Sequence, residues 1–166
     1  MKHLLLLLFL PVTPAALNAQ NVMGVGLGVH NHETGTLELT FQSDKGRVHL
    51  AYTVGPLRMR GIYREPVLED GYTETSHGYL TSTVDIGYSR FFTDRFNIEL
   101  CLSLGSRTHY SNYVNDYGEK YYYDYNGRFT AGGGIYLGFF LTKRLELYAG
   151  YSSLRDGGGG IRFNLK

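Results

Sequence analysis

From Val22 onward, apolar residues recur at every second position, in short runs separated by turn-forming residues. Met23, Val25, Leu27 and Val29 alternate with Gly24, Gly26, Gly28 and His30. That period predicts strands with one apolar face, because successive side chains of a strand point to opposite sides of the sheet. Leu37, Leu39 and Phe41 oppose Glu38, Thr40 and Gln42, after which Ser43-Asp44-Lys45-Gly46 supplies a tight hairpin. Val48, Leu50, Tyr52 and Val54 carry the rhythm to Gly55, and a polar stretch from Pro56 to about His77 interrupts it. Alternation resumes from Gly78 to Phe92. It returns from Phe96, where Ile98, Leu100, Leu102 and Leu104 oppose Glu99, Cys101, Ser103 and Gly105. A Tyr-rich loop is expected from about Tyr110 to Lys120, then a strand ending near Leu141. Leu145, Leu147, Ala149 and Tyr151 alternate once more, Arg155 to Gly158 reads as a loop, and Ile161, Phe163 and Leu165 mark the last strand.

Eight strands result, and their connections differ in length. Ser43–Gly46, Thr93–Arg95 and Thr142–Lys143 are tight turns, whereas the third and fifth connections are long. Short turns on one side and longer loops on the other predict an all-β, eight-stranded, antiparallel up-and-down transmembrane β-barrel. No run after residue 20 approaches the roughly 18 apolar residues that a membrane-spanning helix needs. The first residues have a different character. Met1-Lys2-His3 precede the apolar run Leu4–Leu10, and Pro11, Pro14 and small residues lead to Ala19-Gln20. This is the layout of a cleaved signal peptide, residues 1–19, leaving 20–166 as one barrel domain.

Composition sharpens the picture. The chain of 166 residues has 22 Gly, 15 Tyr and 9 Phe but only 4 Pro, a bias that fits a closed sheet in a membrane. A formal net charge of +1 offers no electrostatic footprint for nucleic acid. One Cys excludes an internal disulfide, and parity puts Cys101 on the lumen face. A soluble barrel would alternate too, so the polar face decides between them. It carries Glu38, Asp85, Glu99 and Glu146 against Arg47, Arg107, Arg128 and Arg162, which predicts a narrow lumen filled by paired charges. Apolar-face aromatics gather at the strand ends: Phe41, Phe96, Phe139 and Phe163 toward the tight turns, Tyr52, Phe129 and Tyr151 toward the long loops. Two such girdles suit the two interfaces of a bilayer.

With this signal segment, eight strands, tight turns and an amphipathic C-terminal strand, residues 20–166 resemble the OmpA/OmpX-like small outer-membrane barrels. The resemblance is one of architecture. It implies the outer membrane of a Gram-negative cell, contact with outer-membrane lipids and lipopolysaccharide, and passage through the barrel-insertion machinery. The group usually ends on an aromatic residue, whereas this chain ends Phe163-Asn164-Leu165-Lys166. Structural, adhesive and enzymatic members share the architecture, so function is read from sites.

Three functional expectations follow. The first is a non-enzymatic monomeric barrel with a filled lumen, structural or adhesive through its surface loops, where Tyr110, Tyr113, Tyr117, Tyr121, Tyr122 and Tyr123 crowd the fifth connection. The strands beside that connection exceed the 9–11 residues or so that a membrane requires and could project as a ribbon with an open edge. The second rests on His109-Tyr110-Ser111-Asn112, which is similar to the His-x-Ser-Asn motif of PagL-like lipid A deacylases. That resemblance implies His109 as base and Ser111 as nucleophile, although strand parity turns both toward the lumen. The third is a narrow channel or solute-binding barrel. No cofactor or metal is expected: His30, His32, His77 and His109 share one rim without carboxylates or Cys at ligand spacing.

Overall fold

A computed structural model describes residues 22–43, 46–56, 61–64 and 71–165. The expected signal peptide, residues 1–19, lies outside the described residues. The strands are β1 (Val22–His30), β2 (Thr34–Gln42), β3 (Gly46–Gly55), β4 (Ile62–Tyr63), β5 (Thr73–Phe91), β6 (Phe96–Val114), β7 (Lys120–Phe140), β8 (Leu145–Ser152) and β9 (Asp156–Asn164). Antiparallel pairings run β7-β6-β5-β3-β2-β1-β9-β8, and β7 also pairs with β8, so eight strands close into a ring. The two-residue β4 stands apart and pairs in parallel with the start of β7.

Alternation is what allows the ring to turn its apolar side outward. Leu27, Val29, Leu37, Leu100, Leu137 and Tyr151 are all exposed on the outer surface. Buried positions are mostly polar: Thr36, Glu38, Thr40, Arg47, His49, Thr53, Asp85, Glu99, Glu146 and Arg162. Among the described residues, the buried hydrophobic ones are Ala51, Tyr136, Phe140 and Tyr148. Water would penalise such an inside-out arrangement, whereas a hydrocarbon phase stabilises it. β1, β2 and β9 have 9 residues each and β3 has 10, lengths matched to the bilayer core.

Three expected boundaries shift. Gly157–Gly160, assigned in part to a loop, lie within β9, and the turn before them is 153–155. The reason is room for a neighbour: a Cβ on Gly28 or Gly160 would fall 2.2 or 2.7 Å from the Tyr148 hydroxyl oxygen. Glycine in these strands therefore makes space for the Tyr148 ring inside the barrel. The other two shifts concern length. β5 begins at Thr73 instead of near Gly78, and β6 and β7 consume most of the expected Tyr-rich loop, leaving 115–119 as the turn. Cross-strand pairing continues from Tyr110↔Asp124 out to Val114↔Lys120, because β-forming Tyr and Val occupy both strands.

Gly160→Val should prevent barrel closure, since its side chain would also meet the Leu27 carbonyl oxygen, only 2.2 Å from the Cβ position. Gly133→Ala, with a nearest neighbour at 3.4 Å, should be tolerated. Heat-dependent gel migration after refolding into micelles reads both: the first variant should lose the compact, unheated band and the second should keep it.

Candidate functional site

The barrel interior holds two ionic nodes. In the lower one, Arg162 donates from Nε to Glu38 Oε2 at 2.6 Å, from Nη2 to Glu99 Oε2 at 2.7 Å, and from Nη1 to Glu146 Oε1 at 3.5 Å. Its guanidinium lies 3.8 Å over the Tyr148 ring, whose hydroxyl donates to Glu38 Oε1. Arg47 forms an ion pair with Glu146 Oε2 and lies over the adjoining Phe91 and Phe140 rings at 5.7 and 5.5 Å. Asn97 Nδ2 completes Glu146 at 2.8 Å. In the upper node Arg155 donates to Asp85 Oδ2 at 2.6 Å and to Ser103 Oγ at 3.1 Å. Thr53 and Thr83 also donate to Asp85.

The structure thus brings together Glu38, Arg47, Asp85, Glu99, Glu146 and Arg162, and not Arg107 or Arg128. Those two pair with each other across β6 and β7 at the rim, level with the last β3–β5 pair, where lumen parity no longer means enclosure. Arg107 is half-buried, 3.8 Å over the Tyr79 ring, and Arg128 is exposed. The guanidinium that sequence reading missed is Arg155, 2% exposed. The local pattern predicts a loop there, and only the closed ring shows that a turn residue can reach inward to β5. The expected balance of four acids against four bases becomes Glu38, Asp85, Glu99 and Glu146 against Arg47, Arg155 and Arg162, with His49 3.3 Å from Glu99. Cys101 lines the small residual cavity of about 20 Å³ between the nodes, together with Tyr136 and Tyr148. That space suits a single water, not a conduit.

Beyond the rim the sheet continues on three strands only. β3 pairs with β5 from Thr81 to Arg90, and β8 pairs with β7 only from Gly134 to Phe140. Residues 73–80, 108–114 and 120–131 therefore stand clear of the barrel as a ribbon, about 26 Å tall at about 3.3 Å per residue over 73–80. Aromatic rings run along it. His109 lies between Tyr79 (centroids 4.2 Å apart) and Tyr125 (5.7 Å), and Tyr123 follows Tyr125 at 6.0 Å. Tyr63 of β4 contacts Tyr122 and Tyr123, and Tyr72 meets Tyr121. Tyr110 and Tyr113 are half-buried, and Tyr117 is 90% exposed at the tip. There the Tyr121 hydroxyl and the Asn115 amide both donate to Glu119, holding its carboxyl below the ordinary range. Among the described residues, no strand pairs with β7 between Tyr122 and Gly134.

The His109–Ser111 pair does not form a nucleophile and base. Ser111 is buried, and its hydroxyl proton goes to Glu74 Oε1 at 3.1 Å, an oxygen that His77 Nδ1 also approaches at 3.2 Å. The carboxylate, not an imidazole, is at the centre of this trio, the reverse of the order that activates a serine. His30, the remaining described rim histidine side chain apart from His77 and His109, is buried and bonds Thr36 through Nε2 at 3.1 Å. Among the described residues there is no group of His, Cys, Asp and Glu suited to a metal ion.

The sequence matches no protein-family model and no curated protein. One solved structure that matches is Ail, the attachment invasion locus protein of Yersinia pestis, in complex with the heparin analogue sucrose octasulfate. It is similar over 85% of this chain and 90% of that one, at 11% identity and a TM-score of 0.45.

Arg162→Met should destabilise the barrel by about 3–5 kcal/mol, because it strands three buried carboxylates without their shared cation. Urea unfolding in micelles, followed by the loss of the compact gel band, measures this. Arg128→Met, outside the barrel, should leave the midpoint within error of wild type.

Proposed function

We propose that this chain is a small outer-membrane barrel whose work lies outside the cell, as a structural and adhesive element acting through its projecting ribbon. One observation carries the reading: β5, β6 and β7 have 19, 19 and 21 residues, about twice the length of β1, β2, β8 and β9. A membrane anchor alone needs only the shorter length, so the extra residues serve something beyond the bilayer. Among the described residues, no strand pairs with the β7 edge from 123 to 131, and its backbone donors and acceptors favour binding of an extended segment by strand addition. A bulge opposite Arg107 and His109, with Asn126 at φ 54°, interrupts that edge and limits indiscriminate pairing. Outer-membrane lipids and lipopolysaccharide surround the belt, and the chain is inserted as a monomer after loss of its signal peptide. The filled interior counts against a channel, and the Glu74-centred trio counts against lipid hydrolysis.

Fractionation tests the location: the chain should sediment with outer membranes, and recovery as a soluble periplasmic protein would sink the reading. Replacing residues 111–123 by Asn-Gly shortens the β6–β7 hairpin while sparing the ring. Cells displaying that variant should keep the heat-shifted barrel but lose attachment to epithelial monolayers, and undiminished attachment would reject the adhesive role. Ser111→Ala should leave the acyl pattern of lipid A unchanged by mass spectrometry.

A further inference from the structure

Below the rim, the outer face of the ring is apolar with one exception. Among the described residues, Arg90 is the charged side chain on that face. Parity along β5 gives it the side of Val84, Ile86 and Tyr88, opposite the buried Asp85 and Ser89. It pairs across to Gly46 of β3 and Ile98 of β6, is exposed, and stands one position from the end of its strand. The described ion pairs of the ring are internal, and Arg90 takes part in none of them. A cation on a lipid-facing surface near a strand end is stabilised by an anion at the headgroup level.

The surroundings suit a phosphate with acyl chains attached. A Cβ on Gly46 would run into the Tyr88 hydroxyl, so the Tyr88 ring leans over Gly46 toward the tight turns and brings a donor to the side of Arg90. Below it, Phe91-Phe92-Thr93-Asp94-Arg95-Phe96 and Phe140-Leu141-Thr142-Lys143-Arg144-Leu145 are two copies of one turn. In each, the Thr Oγ1 accepts from the N–H groups of the Arg and of the residue after it, at 3.2 and 3.0 Å in the first and 3.1 and 3.0 Å in the second. Each Arg carbonyl accepts from a neighbouring strand, from Phe140 or Asn164, at 2.8 Å. The backbone of Arg95 and Arg144 is thereby fixed while both side chains stay exposed. By sequence, the three tight turns and Arg90 carry Lys45, Arg90, Arg95, Lys143 and Arg144 against Asp44 and Asp94, an excess that favours a negative partner. Exposed Phe92 and Phe96 stand at the same level, and the Phe96 and Phe139 rings meet at 4.9 Å, as in an interfacial belt.

We infer that the tight-turn end of the barrel binds an anionic phospholipid, its phosphate on the Arg90 guanidinium and the Tyr88 hydroxyl, its acyl chains along Phe96, Ile98 and Leu100. Arg95 and Arg144 select an anionic headgroup over a zwitterionic one. The inference rests on the outer-membrane reading in one respect, that this end lies in a phospholipid leaflet. Asp44, two residues before Gly46 and outside the described residues, is the competing anion by sequence, and the test includes it.

The test is native mass spectrometry of the full barrel refolded in an uncharged polyoxyethylene detergent. Dioleoyl phosphatidylglycerol and dioleoyl phosphatidylcholine, which share phosphate and chains, are titrated separately, with glycerophosphoglycerol as the headgroup without chains. The first phosphatidylglycerol should bind with a Kd about fivefold or more below that of phosphatidylcholine. Arg90→Gln should bring the two within about twofold, and Tyr88→Phe, which keeps the ring, should raise the phosphatidylglycerol Kd about twofold or more. Arg128→Gln, on the ribbon, should leave the preference intact. Arg90→Lys keeps the cation and should keep the preference, so it remains informative if Arg90→Gln disturbs the strand. Equal affinity for the two lipids, a preference that survives Arg90→Gln, one that appears only in Asp44→Asn, or glycerophosphoglycerol bound as tightly as the lipid would overturn the inference. Absence of a preference in a barrel that still sediments with outer membranes would reject the site and leave the proposed location standing.

Discussion

The guanidinium of Arg162 is the contact on which this barrel depends. It joins Glu38 of β2, Glu99 of β6 and Glu146 of β8 from its own place on β9, so strands on opposite sides of the ring share one cation. A lumen this narrow leaves these carboxylates no access to bulk water, and without a common partner they would repel one another. Tyr148 beneath the guanidinium and the glycines that admit its ring belong to the same arrangement. Arg155 repeats the device one layer up, with Asp85 and two hydroxyl-bearing strands. The apolar belt could tolerate slippage by two residues without exposing polar side chains to lipid. Charges that must meet across the interior could not, which makes the interior the element that selects the register.

A closed, ion-filled ring leaves little chemistry inside. The ribbon above it is a different kind of surface. Its rings contact one another from Tyr79 to Tyr63, and among the described residues no strand pairs with its β7 edge between Tyr122 and Gly134. β4 covers that edge at Tyr121 and Tyr122. The proposed adhesive role would draw on this division, with rigid anchoring below and hydrogen-bonding groups above. A cleft at the base of the ribbon joins the two regions, because the rim of the barrel, at Glu33 and Pro56, forms one wall and the ribbon the other.

Ser111 illustrates how a short motif can mislead. His109, Ser111 and Asn112 occur at the spacing that the deacylases use, yet each is engaged in ordinary sheet contacts: a ring stack, a hydroxyl to Glu74, and an amide to Ser76. That motif works through an imidazole at the serine hydroxyl, and strand geometry here puts a carboxylate there. The polar stretch around Glu74 predicts a loop, whereas β5 extends through it and sets the carboxylate beside Ser111.

Alternation, turn residues and the inward set of charges were legible in the sequence, since each depends on local period two and not on distant contacts. They determined the eight-stranded ring, its apolar exterior and most of the ionic interior. Three things were decided only by tertiary structure. Arg155 entered the lumen because closure brought a turn over the ring. Arg107 and Arg128 left it because their strands run past the rim. The cleft formed because a long β5–β6 pair rises beside the short β1–β2 connection. Parity tells which way a side chain points along its own strand, but whether that direction leads to lumen, lipid or water depends on where the neighbouring strands end.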